Sequence, residues 1–81
     1  MSVTLTLLYF ASLRERAGVP SESLSTEAAD LAGLYEEIQA RHDIAWPREH
    51  LRVAVDGEFA RWQEPLRAGS EVAFIPPVSG G

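Results

Sequence analysis

The chain has 81 residues, a formal net charge of −5 and no cysteine. Its length fits one small domain with a single core, and the lack of cysteine excludes disulfides and thiolate-bound metals. The acidic balance argues against nucleic acid or an anionic membrane surface as a partner. All seven basic residues are arginine, so no internal ε-amine could attack an activated carboxyl group.

The N-terminal segment and the two histidines carry no targeting or metal-binding signal. Residues 1–8 lack a basic region and a small-residue cleavage site, and no apolar run approaches membrane-spanning length. His42 and His50 have no cluster of Asp, Glu or His at ligand spacing around them. We therefore expect a cytoplasmic protein that binds no metal and no membrane, with both histidines at the surface.

The first part of the chain predicts two strands around a short helix. Residues 3–10 are largely apolar or β-branched on both alternating faces, which predicts a central strand covered on much of both faces. Residues 11–17 predict a short helix that Gly18 ends. Residues 21–26 hold one apolar side chain, Leu24, and predict a short edge strand.

A longer helix and three further strands follow. Asp30 suits a helix N-cap, and apolar residues recur after it at the spacing of one helix face, up to an end near His42 and Asp43. Those apolar residues are Leu31, Leu34, Tyr35 and Ile38. Residues 51–55 and 58–61 predict strands joined at Asp56-Gly57, the strongest hairpin signal in the chain. Residues 71–75 predict the last strand, with Phe74 facing the core and Ile75 on the opposite face.

This order of elements predicts an α+β domain over residues 1–75. The first and last strands are the most apolar, so we expect them to be parallel central neighbours in a mixed sheet of four to five strands. One main helix then packs on the sheet, which is the layer arrangement of the β-grasp, or ubiquitin-like, fold. Residues 76–81 form a predicted projecting tail.

The tail combines two prolines with a final pair of glycines. Pro76 and Pro77 lack N–H donors, so they should end the last strand. Gly80 and Gly81 put a carboxylate on a segment slim enough to enter a narrow channel in another protein. Fully extended, the six residues span at most about 20 Å. The alternative is that Ser79 and the glycines are only a frayed end.

Two segments resemble a known family, the ubiquitin-like sulfur carriers, and within it the small subunits of molybdopterin synthase. Residues 9–15, followed by Gly18, resemble that family's strand-to-helix junction. Residues 69–81 resemble its C-terminal signature nearly residue for residue, with serine at Ser79 where threonine is also common. Residues 20–62 are generic and add little to the resemblance.

The resemblance implies a chemistry for Gly81. An E1-like adenylyltransferase uses ATP to convert the Gly81 carboxylate into an acyl-adenylate, and a sulfurtransferase or cysteine desulfurase supplies sulfur that replaces AMP. The Gly81 thiocarboxylate then enters the large synthase subunit and donates sulfur to cyclic pyranopterin monophosphate, which builds the dithiolene of molybdopterin. The chain itself holds no tightly bound cofactor.

The resemblance also assigns partners and positions. Two small and two large subunits form a heterotetramer. The main catalytic residues are expected on the large subunit, so whether the isolated chain is an enzyme stays open. Gly80 provides space and flexibility next to the reacting Gly81. The four residues before it set the path of the tail: Pro76, Pro77, Val78 and Ser79. From the predicted strands, Phe59 and Ile75 are candidates for partner-facing contacts, with burial in the core as the alternative.

Three other functions stay open. The chain could carry sulfur for thiamine, cysteine or transfer-RNA thiolation, although the residues that precede Gly80 and Gly81 argue against similarity to those carriers. It could be a ubiquitin-like modifier joined to lysines of target proteins. It could also be an interaction module whose last two glycines have no role.

Overall fold

A computed structural model describes residues 2–76 and shows a five-stranded mixed sheet with two α-helices. The elements in chain order are β1 (Val3–Tyr9), α1 (Ala11–Ala17), β2 (Ser21–Thr26), α2 (Leu31–His42), a 3₁₀ turn (Arg48–His50), β3 (Arg52–Val55), β4 (Glu58–Ala60) and β5 (Glu71–Ile75). The strand order is β2-β1-β5-β3-β4. The predicted β-grasp arrangement is therefore confirmed.

Strand pairing follows the sequence prediction at the centre of the sheet. β1 and β5 are parallel neighbours, and the other three pairs are antiparallel. β2 lies at one edge, as predicted. Five predicted tail residues lie outside the described residues, so their roles and the proposed division between domain and tail stay predictions; they are Pro77, Val78, Ser79, Gly80 and Gly81.

The boundaries of α2 come from local hydrogen bonding. The Asp30 carboxylate accepts a hydrogen bond from the Gly33 N–H at 2.8 Å, which satisfies one of the free donors of the first turn. Asp43 ends the helix in the left-handed conformation, with φ 53°. The four predicted apolar residues of this helix are all buried, so α2 is held by its packing against the sheet.

The hairpin between β3 and β4 has the predicted turn. Asp56 and Gly57 have φ values of 52° and 88°, the left-handed conformations that a two-residue hairpin with the right twist requires. The turn fixes the register that places Ala54 opposite Phe59. It therefore decides which face of the sheet carries the Phe59 side chain.

The core lies on one face of the sheet, called here the inner face, between the strands and α2. Phe74 of β5 is fully buried, and its ring centroid is 5.2 Å from that of Tyr35 on α2. The Trp62 ring stacks on Phe74 at 6.1 Å with an angle of 6° between the planes. These aromatic contacts tie the last strand to the helix, so the position of β5 is well defined up to its end.

The opposite face of the sheet, the outer face, carries no helix among residues 2–76. The prediction that β1 is covered on much of both faces is therefore wrong. Leu5, Leu7 and Tyr9 are buried on the inner face, but Leu8 on the outer face is only half-buried. Apolar side chains on both faces of a strand predict burial on both faces, but here the outer face of β1 is only partly covered.

Candidate functional site

One half of the outer face is apolar. The strand register sets Leu8 opposite Ala73, Ala73 opposite Ala54, and Ala54 opposite Phe59. The two central residues are alanines that are only 7% and 8% exposed, and larger side chains stand at either end of the row. We call the following set the outer apolar surface: Leu8, Phe10, Ala54, Phe59, Ala73 and Ile75.

Phe10 belongs to this surface but was not singled out from the sequence as a contact residue. It follows β1 in an extended conformation, with φ −126° and ψ 150°, so it stays on the same face as Leu8. Its side chain is 46% exposed. Continuing the register of β1 and β2 by two positions brings it beside Val19, which is 39% exposed. The alternation in residues 3–10 already placed Phe10 with Leu8, but it could not show that their face is open.

The other half of the outer face is polar. Thr6 pairs with Glu71 at the start of β5, and the Thr4 hydroxyl lies 2.8 Å from that of Ser25. These side chains can remain hydrated without cost. The apolar side chains are thus confined to the half of the outer face that contains the C-terminal end of β5. The chain passes from there through Pro76 to the predicted tail.

The structure places the two predicted contact residues on the outer face. Phe59 is 68% exposed, and the guanidinium carbon of Arg52 lies 5.4 Å from its ring centroid. Ile75 is half-buried opposite Arg52 on β3. Pro76, the first residue of the predicted tail, is buried. Neither Phe59 nor Ile75 belongs to the buried core, and their role in binding stays a prediction.

A polar cluster joins β1, β2 and the end of α2. The Glu22 carboxylate accepts a hydrogen bond from the Tyr9 hydroxyl and lies 2.8 Å from His42 Nε2. A guanidinium nitrogen of Arg41 is 3.7 Å from the second carboxylate oxygen. His42 is half-buried, with its side chain 15% exposed, so its predicted surface position holds only in part. His50 is exposed, as predicted.

The contacts of Glu22 have opposing effects on its pKa. Burial raises the pKa of this carboxyl, but the hydrogen bonds from Tyr9 and His42, with the charges of His42 and Arg41, outweigh burial. The pKa of Glu22 therefore lies below its ordinary value of 4.5. Burial, together with the bonded carboxylate, raises the pKa of the Tyr9 hydroxyl well above its ordinary value. The cluster is thus built around an ionised Glu22 and a neutral Tyr9.

We expect the substitution Glu22→Gln to lower the free energy of unfolding at pH 7 by about 1–3 kcal/mol, because it removes a charged acceptor from a partly buried cluster. A carboxyl whose pKa is lowered by folding adds stability above its unfolded pKa and loses it as the pH falls through its folded pKa. The difference between wild type and E22Q should therefore shrink below about pH 4.5.

Urea unfolding at pH 7 and at pH 3 measures both quantities for this prediction. Glu36→Gln, at an exposed position on α2, is the matched control and should change stability by less than about 0.5 kcal/mol. An equal loss in E22Q at both pH values would show that Glu22 does not act through its charge.

Neither a metal centre nor a membrane span is found in the part of the chain that the structure describes. Residues 2–76 contain no group of three or more His, Cys, Asp or Glu side chains that could hold a metal ion. Within the same range, no helix is both long and apolar enough to cross a bilayer.

The chain is similar to several known proteins. The ThiS family model matches residues 7–81. The human molybdopterin synthase sulfur carrier subunit is 38% identical over 80 residues, which cover 93% of this chain and 91% of the human protein. The solved structure of SAMP1 from Haloferax volcanii has a TM-score of 0.80 and 28% identity, covering 96% of this chain and 99% of that one.

A further solved structure contains two proteins. It is a complex of subunits 1 and 2 of the molybdopterin-converting factor from Helicobacter pylori, and the matching chain has a TM-score of 0.64 and 22% identity. The match covers 98% of this chain and all of that one. At this identity the likeness concerns the fold.

Proposed function

Because the chain belongs to the ThiS family and relatives that are more than 30% identical to it are sulfur carrier subunits of molybdopterin synthase, we propose that it is the sulfur-carrying small subunit of such a synthase. Gly81 is the reacting residue, and Gly80 leaves its carbonyl unhindered. The chain acts on substrate only together with a larger subunit, which supplies the catalytic side chains.

Sulfur is loaded in two steps on the Gly81 carboxylate. An adenylyltransferase joins the carboxylate to the α-phosphate of ATP, which releases pyrophosphate and gives an acyl-adenylate. The persulfide of a sulfur donor then attacks the carbonyl carbon and AMP leaves, which gives an acyl disulfide. A thiol attacks the donor's sulfur, breaks the S–S bond and becomes part of a disulfide, and the terminal group is left as a thiocarboxylate. The soft sulfur anion can attack cyclic pyranopterin monophosphate in the large subunit, and two such transfers complete the dithiolene. This chemistry needs no cysteine in the carrier.

The observation that carries the proposal is the position of the outer apolar surface. Exposed apolar side chains gathered in one area are a common basis for docking to a protein partner. Here Phe10 and Phe59 lie on either side of β5, the strand that leads to the tail. A partner bound to this surface would therefore receive the tail at a fixed place and in a fixed direction.

Intact-mass measurement tests the loading step. The chain is incubated with ATP, the adenylyltransferase and a sulfur donor, and we expect a product about 16 Da heavier, since a sulfur able to act as a thiolate nucleophile replaces one oxygen. A chain lacking Gly80 and Gly81 is the matched control and should keep its mass. An unchanged mass of the full chain, with the enzyme shown to be active on another carrier, would refute the proposal.

A second function, protein modification, has one observation in its favour. SAMP1, to which the structure is similar, is a small archaeal modifier protein, and an acyl-adenylate at Gly81 could equally be passed to a lysine of a target protein. Immunoblotting of cell lysate separates the two functions. A ladder of conjugates that disappears without Gly80 and Gly81 would support modification, whereas a single band of free chain would support the sulfur carrier.

A further inference from the structure

Arg52 is a charged side chain at the edge of the outer apolar surface. It is the first residue of β3, it is exposed, and the register places it opposite Ile75. The position of its guanidinium over the Phe59 ring, 5.4 Å from the centroid, limits the directions it can take. A partner that covers Phe59 must therefore also cover Arg52.

No carboxylate of residues 2–76 pairs with Arg52. The ion pairs in this range involve Arg16 with Asp43 and Glu22 with Arg41 and His42. Of the two acidic residues nearest to it along the chain, Glu49 takes part in none of these ion pairs, and Asp56 accepts a hydrogen bond from the backbone N–H of Glu71 instead. A guanidinium that is moved from water into an interface without an acceptor loses binding free energy. Docking on Phe59 is thus favourable only if the partner supplies that acceptor.

Charge is distributed unevenly along β5 and its neighbours. Asp56 and Glu71 lie together at the start of the strand, where the Glu71 N–H donates to the Asp56 carboxylate at 2.9 Å. At the other end of β5, about 13 Å away along the strand, Arg52 is joined by Arg61, which follows β4 at the position opposite it. The end of the surface nearest Pro76 thus carries two guanidinium groups, with the Glu64 carboxylate 2.8 Å from the backbone nitrogen of Arg61.

Resting on the proposed function, we infer that Arg52 determines the orientation of docking by binding a carboxylate of the large synthase subunit, beside the channel that receives the tail. A carboxylate is the acceptor whose geometry matches the guanidinium, through two parallel hydrogen bonds. A partner turned end for end would place the same carboxylate against Asp56 and Glu71. Like charges would then oppose that orientation, and the tail would point away from the channel.

Binding of the chain to the purified large subunit tests the inference by titration calorimetry. We expect Arg52→Gln to raise the dissociation constant about tenfold and to weaken its dependence on salt, with Arg52→Lys in between. Arg41→Gln, which removes the same charge from α2 on the other side of the sheet, is the control and should change the dissociation constant less than about twofold. Unchanged binding of R52Q would overturn the inference.

Two further measurements distinguish the groups that could bind Arg52. In a chain that lacks Gly80 and Gly81, R52Q should cause the same loss of affinity for the large subunit. A loss of affinity seen only with the full tail would mean that Arg52 binds the terminal carboxylate of its own chain, and would overturn the inference. Loading of sulfur by the adenylyltransferase should be unchanged in R52Q. If loading falls and binding to the large subunit does not, the carboxylate belongs to the activating enzyme and the assignment is wrong, while the sulfur carrier function still stands.

Discussion

A single alanine added after Gly81 is expected to lower synthase activity and thiocarboxylate formation at least 100-fold. The added residue moves the terminal carboxylate by about 3–4 Å and places a methyl group beside the carbon that must react. Displacements of about 1 Å can already cost 100-fold when reacting groups must be held in line. Intact-mass measurement of loading and a coupled assay of molybdopterin formation check the two effects.

Binding and folding should survive in this extended chain. Its melting temperature and its affinity for the large subunit are expected to match those of the wild type within error, because the outer apolar surface is unchanged. An alanine inserted after Met1 is the matched control and should leave activity intact. If the chain extended after Gly81 still loads sulfur at the normal rate, the terminal carboxylate is not the reacting group.

The substitution Phe59→Asp is expected to weaken binding to the large subunit by about 2–4 kcal/mol, or roughly 30- to 1,000-fold. It removes the most exposed large apolar side chain of the described residues and puts a carboxylate into the outer apolar surface. Because Phe59 is 68% exposed, stability should change by no more than about 0.5 kcal/mol. Calorimetric titration and thermal unfolding of the same samples measure the two values.

Two variants make the Phe59 result specific. Phe59→Leu keeps an apolar side chain and should retain most of the affinity. Ala45→Asp introduces the same charge at an exposed position in the loop after α2 and should bind as the wild type does. Equal weakening in A45D and F59D would mean that added negative charge, and not the outer apolar surface, controls binding.

The sequence predicts the fold well because its local signals agree with one another. Asp30 begins α2 and Gly18 ends α1, while Asp56 and Gly57 make the hairpin turn. The prediction for β1 failed for a physical reason. A strand buried on both faces and a strand with one face kept for a partner show the same pattern of apolar residues, and only the placement of the helices distinguishes them.

The candidate site was predicted only in part. Phe59 was identified because it follows a tight turn, but the place of Phe10 depends on pairing between β1 and β2, which local periodicity does not specify. The same limit applies to the polar cluster, because Glu22 is 13 positions from Tyr9 and 20 from His42. Contacts at such separations follow from topology, and no spacing rule along the chain would have indicated them.

On the proposed function, in which Gly81 is the reacting residue, the burial of Pro76 limits which enzymes can act on this chain. With Pro76 buried, five residues remain to its C-terminal side, and a chain of that length spans at most about 17 Å. An active site that lies deeper than this below the docking surface is out of reach for Gly81 unless Pro76 first leaves its place. Channel depth would thus distinguish true partners from enzymes that perform the same carboxylate chemistry on carriers with longer tails.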